Sequence, residues 1–319
     1  NQYGHGKGTT QGGFSEYSVV KSKYCYVLKT DISFDDAVLL EPMGKVQKNP
    51  KIFKSSFPGV AFNGVNRINP LGKEVLIIGA GAIGLLAAAC AKALGASKVL
   101  VADINSERLQ LAKTMGADVI INSRETNLQS EVMRLTNGDG KKLSVQSKQT
   151  QESKEDIYQE EIQVEIQDVG ETGEAFFFTL KHYGSFLGVP RLVEASGNAQ
   201  VVNSCFKLLQ KGAELVFIGL HRQPFHVDDF LNDIVFKSLT LHTVHGKMKF
   251  FSYFSFKKVK LLNGRRIFDT WMKTEQLVSE GKVDPKKIIS HSMTMSQWQE
   301  AFDTLLSGRA CKIVIDPQQ

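Results

Sequence analysis

The feature that most constrains this chain is a 30-residue run, 74–103. The apolar EVLII (Glu74–Ile78) leads into Gly79-Ala80-Gly81-Ala82-Ile83-Gly84, then LLAAACAKALG, then KVLVA and Asp103. An unbroken apolar run before a glycine turn suits a strand buried on both faces. The Ala/Leu-rich stretch predicts a helix ending near Gly95, and 98–102 a second strand. Together they make one βαβ unit. In such a unit Gly79 allows the tight turn, Gly81 lets the backbone approach a pyrophosphate, and Gly84 lets the helix pack on the strand. Asp103 stands where an acid accepts both adenosine-ribose hydroxyls and repels a 2′-phosphate. The reading is dinucleotide binding, NAD rather than NADP, with phosphates on the helix N-terminus. The competing reading is a glycine-rich turn with Asp103 capping the next helix. Arg108 either stacks near the adenine or ribose or is a solvated helix charge.

Further apolar runs extend the same alternation. Residues 119–121 predict a strand and 127–135 a helix. Residues 192–195 predict a strand, 201–210 a helix, and 214–218 and 239–243 two more strands. Alternating strands and helices predict an α/β fold with a doubly wound parallel sheet. Ligands sit at the carboxyl ends of such strands, which puts Ser196, Ile218, Gly219, Leu220, Val244 and His245 beside the cofactor. His242 and His245 lie three apart, so on a strand they point to opposite faces and cannot clasp one metal.

Charge sharpens the organisation. The 319 residues carry 39 Lys+Arg against 33 Asp+Glu, a net of +6. Three stretches interrupt the pattern: 45–59, 141–188 and 247–264, with net charges of +4, −4 and +5. The rest of the chain is close to neutral, so the basic balance does not describe a nucleic-acid surface. Each stretch begins Gly-Lys and returns to a glycine. Gly-Lys is how GGT-AAG translates, and GTAAG resembles a splice donor, so retained introns and genuine surface loops are both open readings. The acidic run 152–165 is read as a solvated surface segment. Four cysteines lie far apart with no C-x-x-C pair, which excludes a disulfide scaffold and a cysteine-rich zinc module within this chain. Cys90, Cys205 and Cys311 are read as helix core. No apolar run reaches the roughly 18 residues of a membrane span.

GGFSEYSVV, DISFDDAVLLEPMG, GAGAIGLLAAA, VADINSERLQLAKTMGAD, VEASGN and SGRACKIVI resemble the zinc-dependent medium-chain alcohol/polyol dehydrogenases. Within that family, FKSLTLHTVHG joined to GRRIFDTWMKTEQLVSEGKVDPKKIISHSM is most similar to the L-threonine 3-dehydrogenases. The resemblance implies a Rossmann domain over 43–284. The remnant of a GroES-like catalytic domain would be split between 1–42 and 285–319. It implies an NAD-dependent oxidation of a secondary alcohol, L-threonine or a polyol, in a cytoplasmic homo-oligomer (dimer or tetramer). No membrane or nucleic-acid partner is implied. It also implies zinc, although the family's main metal ligands have no counterpart in this chain, which is therefore read as an N-terminally truncated, inactive fragment. A non-catalytic NAD-binding protein or defective gene product is the alternative. Glu41 is the one candidate left beside the metal, as an intermittent zinc ligand or a proton-relay acid; its plain reading is a helix-start acid. By the same resemblance the stretches 45–59 and 247–264 flank the cofactor cleft and are expected to weaken NAD binding.

Overall fold

The computed structural model describes residues 13–20, 22, 25–43, 60–136, 159–166, 176–183, 188–219, 221, 224–244 and 268–317. In chain order, two short helices, α1 (Phe34–Ala37) and α2 (Leu40–Met43), precede α3 (Ala61–Arg67). The glycine-turn unit follows as β1 (Glu74–Ile78), α4 (Ala82–Ala93) and β2 (Lys98–Asp103). Next come α5 (Ser106–Thr114), β3 (Val119–Asn122) and α6 (Leu128–Thr136). A hairpin of β4 (Gln159–Ile166) and β5 (Phe176–Tyr183) precedes β6 (Val189–Glu194), α7 (Ala199–Lys207), β7 (Leu209–Phe217) and β8 (Thr240–Thr243). The chain closes with α8 (Phe268–Ser279), β9 (Ile289–Thr294), α9 (Trp298–Leu306) and β10 (Lys312–Asp316).

Six of these strands form one sheet in the order β3-β2-β1-β6-β7-β8, and every pair is parallel. The order reverses between β1 and β6, so the crevice at that switch point is where a ligand of such a sheet belongs. Period-two alternation divides the core between two faces. Val75 and Ile77 join the apolar cluster under α3 and α4, while Leu76 and Ile78 join the one under α7. Helix α4 is buried continuously from Gly84 to Ala91, so it is apolar nearly all round. Each buried Leu there stabilises by roughly 1.5–3 kcal/mol relative to exposure.

One sequence expectation needs correction. The predicted helix 201–210 ends at Lys207, and Leu209 already pairs with Val189 in the sheet. The apolar spacing continues past the helix, but the Leu208 carbonyl accepts the Val189 N–H at 2.9 Å and pulls the chain into the sheet. A Cβ on Gly188 would lie 2.6 Å from that carbonyl oxygen, so the crossing requires glycine. Of the acidic stretch 152–165, residues 159–165 lie in β4, an antiparallel strand. Its Gln159 pairs with Tyr183 and its Ile166 with Phe176. Alternating residues suit a pleated strand, and a second β-rich run nearby supplies its partner.

The segment before α3 packs onto the α3/α4 side of the sheet. Leu39, Leu40 and Met43 are fully buried in the α3/α4 core. Buried Glu275 of α8 holds residues 26–30. It accepts the Tyr26 hydroxyl (2.6 Å), the amides of Lys29 (2.5 Å) and Thr30 (2.7 Å), and the Thr30 hydroxyl (2.8 Å). Burial, then this hydrogen bond and the carboxylate's charge, push the Tyr26 phenol up to about 12. At the C-terminus β9 and β10 pair in parallel, with α9 between them in sequence. Among the described residues no helix is long and apolar enough to cross a membrane.

Candidate functional site: the crevice at the strand switch point

The glycine turn follows directly from β1. Gly79 adopts φ +102°, and its N–H donates to the Ala102 carbonyl at 2.8 Å. A Cβ there would lie 2.8 Å from the Ser196 nitrogen, so the turn from β1 touches the turn from β6. A Cβ on Gly84 would lie 1.8 Å from the Gly79 carbonyl oxygen, which is how close α4 comes to the turn. Gly81 differs from both. It is the extended N-cap of α4, no side chain caps the helix, and a Cβ there meets nothing within 4 Å. No internal contact therefore demands glycine at 81, and the space a Cβ would fill there is open. The Ile83 side chain, half-buried, packs on the α3/α4 core.

Asp103 ends β2 and binds back to the turn. Its Oδ2 accepts the Ala80 N–H at 2.5 Å and its Oδ1 the Asn105 N–H at 2.9 Å. It does not cap the next helix. Asn105 does, accepting the Arg108 N–H at 3.0 Å. Arg108, on α5, reaches the C-terminal segment. Its Nη2 donates to the carbonyls of Gly308 (3.3 Å) and Ala310 (3.4 Å), holding the segment before β10 against α5.

The opposite lip of the crevice comes from β6, β7 and β8. Ser196 is exposed, and Gly219 is packed so closely that a Cβ would lie 2.4 Å from the Gly197 nitrogen. Ile218 and Val244 are buried, and both side chains face Gly64 of α3. What they offer toward the crevice is backbone, not side chain. Leu220 and His245 lie outside the described residues.

The sequence profile of the zinc-binding dehydrogenase family matches residues 82–157. The L-threonine 3-dehydrogenase of Coxiella burnetii (strain Dugway 5J108-111) is 28% identical over 308 residues, 97% of this chain and 66% of that protein. Among solved structures, 2R,3R-butanediol dehydrogenase from Bacillus subtilis superposes with a TM-score of 0.64 at 20% identity, over 96% of this chain and 65% of that one. A zinc-binding dehydrogenase from Sinorhizobium meliloti 1021, solved bound to NADP, gives 0.63 at 17%, over 97% of this chain and 67% of that one. The chain thus resembles zinc-binding dehydrogenases in sequence over 82–157 and shares the fold of these solved structures over most of its length. It spans 66% of the length of the first of these relatives, just under two thirds.

Zinc-binding dehydrogenases take their family name from a metal, and the described residues do not supply one. Among them no group of three or more His, Cys, Asp or Glu could hold an ion. Glu41 is exposed in the first turn of α2, between buried Leu40 and half-buried Pro42. His242 is buried, with Nε2 2.7 Å from Glu214 Oε2, and Glu214 also pairs with Arg191 at 3.2 Å. Burial pushes the His242 imidazole below its ordinary value against the opposing pull of Glu214. The three side chains form a polar ladder across β6, β7 and β8 that the sequence did not suggest. Cys90 is core, its thiol pushed up to about 12 by burial. Cys205 is core too, pushed well up by burial and then by the Glu194 charge. Cys311 lies half-buried before β10 rather than in a helix.

One residue of the crevice escaped sequence reasoning. Glu194, the last residue of β6, is fully buried with its carboxylate beneath the loops of β6 and β7. An acid ending an apolar strand, followed by Ser-Gly-Asn, was the available signal.

Proposed function

We propose that this chain is the nucleotide-binding part of an NAD-dependent dehydrogenase that oxidises a secondary alcohol, with L-threonine going to 2-amino-3-oxobutanoate as the leading substrate. The observation that carries the reading is the Asp103 carboxylate, held 2.5 Å from the Ala80 amide at the edge of an open glycine turn. There it can accept the two adenosine-ribose hydroxyls, and its charge opposes a 2′-phosphate. The cofactor, when bound, supplies the hydride acceptor. The chain's own residues bind and orient it. The turn 79–84 and the α4 amides take the pyrophosphate, Asp103 the ribose, and the backbones of 196, 218–220 and 244–245 the nicotinamide half. No step is routed through zinc, because the described residues offer no ligand set. In this reading 1–42 and 285–319 belong to a GroES-like catalytic domain, Glu41 lies toward the substrate, and the whole protein is a homo-oligomer.

NAD and NADP are titrated calorimetrically into the chain up to millimolar concentration, since the stretches at 45–59 and 247–264 lower the expected affinity. Binding with NAD tighter than NADP is expected; tighter NADP, or no binding, overturns the reading. Full-length protein is then assayed with L-threonine, sorbitol and 2,3-butanediol. Turnover of a polyol but not threonine replaces the substrate. Binding without turnover of any of the three keeps the binding half and removes the catalytic half.

A further inference from the structure

Burying a carboxylate is costly unless donors surround it, and Glu194 is fully buried with none of the roles above assigned to it. Its Oε1 accepts the Ser196 N–H (2.8 Å), the Gly197 N–H (3.2 Å) and the Ser196 hydroxyl. Its Oε2 faces His221 Nε2 at 3.0 Å, and the His221 side chain is only 7% exposed. That approach is off-line for a hydrogen bond, so neither atom makes one among the described residues. The contact is one of packing. Phe217 and Phe225 hold the imidazole edge-on, with ring centroids at 6.0 and 5.8 Å. The Glu194 backbone takes part as well. Its carbonyl accepts the N–H groups of Ile218 and Gly219, both at 2.9 Å. A Cβ on Gly219 would lie 2.6 Å from Oε2, so the loop after β7 closes directly onto the carboxylate.

One acid thus ties together the loop after β6 and the loop after β7, and the first of these abuts Gly79 across the switch point. Those loops are the wall of the crevice opposite Asp103. We propose that Glu194 is a positioning residue: it does not touch the dinucleotide, but it sets residues 195–198, 218, 219 and 221 so that their backbones receive the nicotinamide half. This rests on the dinucleotide reading above. It predicts an asymmetry, because the adenosine half lies over β2 and makes no use of these loops.

The test compares the full chain with Glu194→Gln, in which an N–H donor replaces one oxygen and faces either the amides or the imidazole. Amide hydrogen exchange is measured on the free proteins, and NAD and ADP are titrated into both. Exchange over 195–198, 218, 219 and 221 should quicken about tenfold or more in the variant. Affinity for NAD should fall about tenfold or more, while affinity for ADP, which carries only the adenosine half, changes less than about twofold. Ser196→Ala keeps the acid and removes one donor; it should show the same pattern with a smaller loss, and it carries the comparison if Glu194→Gln does not fold. Unchanged exchange at both loops overturns the proposal, and so does a parallel loss of NAD and ADP, which would mark general loosening. A wild-type chain that binds neither nucleotide sinks the dinucleotide reading instead, a failure read on a separate measurement.

Discussion

The two lips of the crevice are built in different ways. The β1–α4–β2 lip is local. Its turn, helix and closing acid lie within 30 residues, and its decisive contacts stay inside that one βαβ unit, such as Gly84 against Gly79 and Asp103 against Ala80. The β6–β7–β8 lip is assembled from strands that meet only through the sheet order, and at its centre buried Glu194 bonds one loop through its carboxylate and the other through its main-chain carbonyl. A local lip tolerates change elsewhere in the chain. A lip that converges on one buried residue concentrates its dependence on that residue.

The largest expected effect breaks the local lip. Gly84→Ala puts a methyl 1.8 Å from a backbone oxygen that cannot yield without moving the turn. Overpacking of this kind costs about 3 kcal/mol, enough to lower the thermal midpoint by many degrees and to remove nucleotide binding. A variant with an unchanged midpoint would mean that α4 is free to shift. Asp103→Asn tests the same lip chemically. The side chain can still accept from Ala80, but the charge is gone, so the NAD-over-NADP preference should fall about tenfold. A preference that survives would place the discrimination elsewhere.

The assembled lip is sharpened by pH. His242 is buried with its pKa below the ordinary 6.5. The unfolded chain therefore binds the proton more readily, and stability is full above 6.5 and declines as pH falls from there toward the lower folded value. Urea midpoints at about pH 7.5 and 5.5 read the effect, and a His242→Gln variant should flatten it. Glu275 behaves alike lower down. Burial raises its pKa, but the hydrogen bonds from Tyr26, Thr30 and Lys29 outweigh that and hold it below 4.5. Docking of residues 26–30 should persist above 4.5 and weaken as pH falls toward the folded value, seen as faster amide exchange there and not in β1. The smallest effect is expected from Arg108→Leu, about 0.5–1 kcal/mol, through its two carbonyl contacts. Loosening should be confined to 308–311; loss of nucleotide binding as well would support the reading of Arg108 as a cofactor contact.

Much of the sheet was legible because buried parallel strands are written as short apolar runs, and Glu74–Ile78 and Lys98–Asp103 fall where the pattern puts them. The end of α7 was not, because Leu208 and Leu209 continue a helical spacing and only the Val189 partner turns them into strand. The β4–β5 hairpin was missed for a related reason, since charge suggested solvent while pairing needed a partner ten residues away.

Sequence alone determined the glycine turn, the helix behind it and the acid that ends the next strand, since each depends on steric and hydrogen-bonding demands of adjacent residues. Tertiary structure alone decided that Glu194 faces His221, that Glu214 binds both Arg191 and His242, and that Arg108 holds the C-terminal segment. Those partners lie from 23 to 202 residues apart. No local pattern encodes such pairs. They exist because the strand order brings the groups together, and because a buried charge must find its donors wherever the fold puts them.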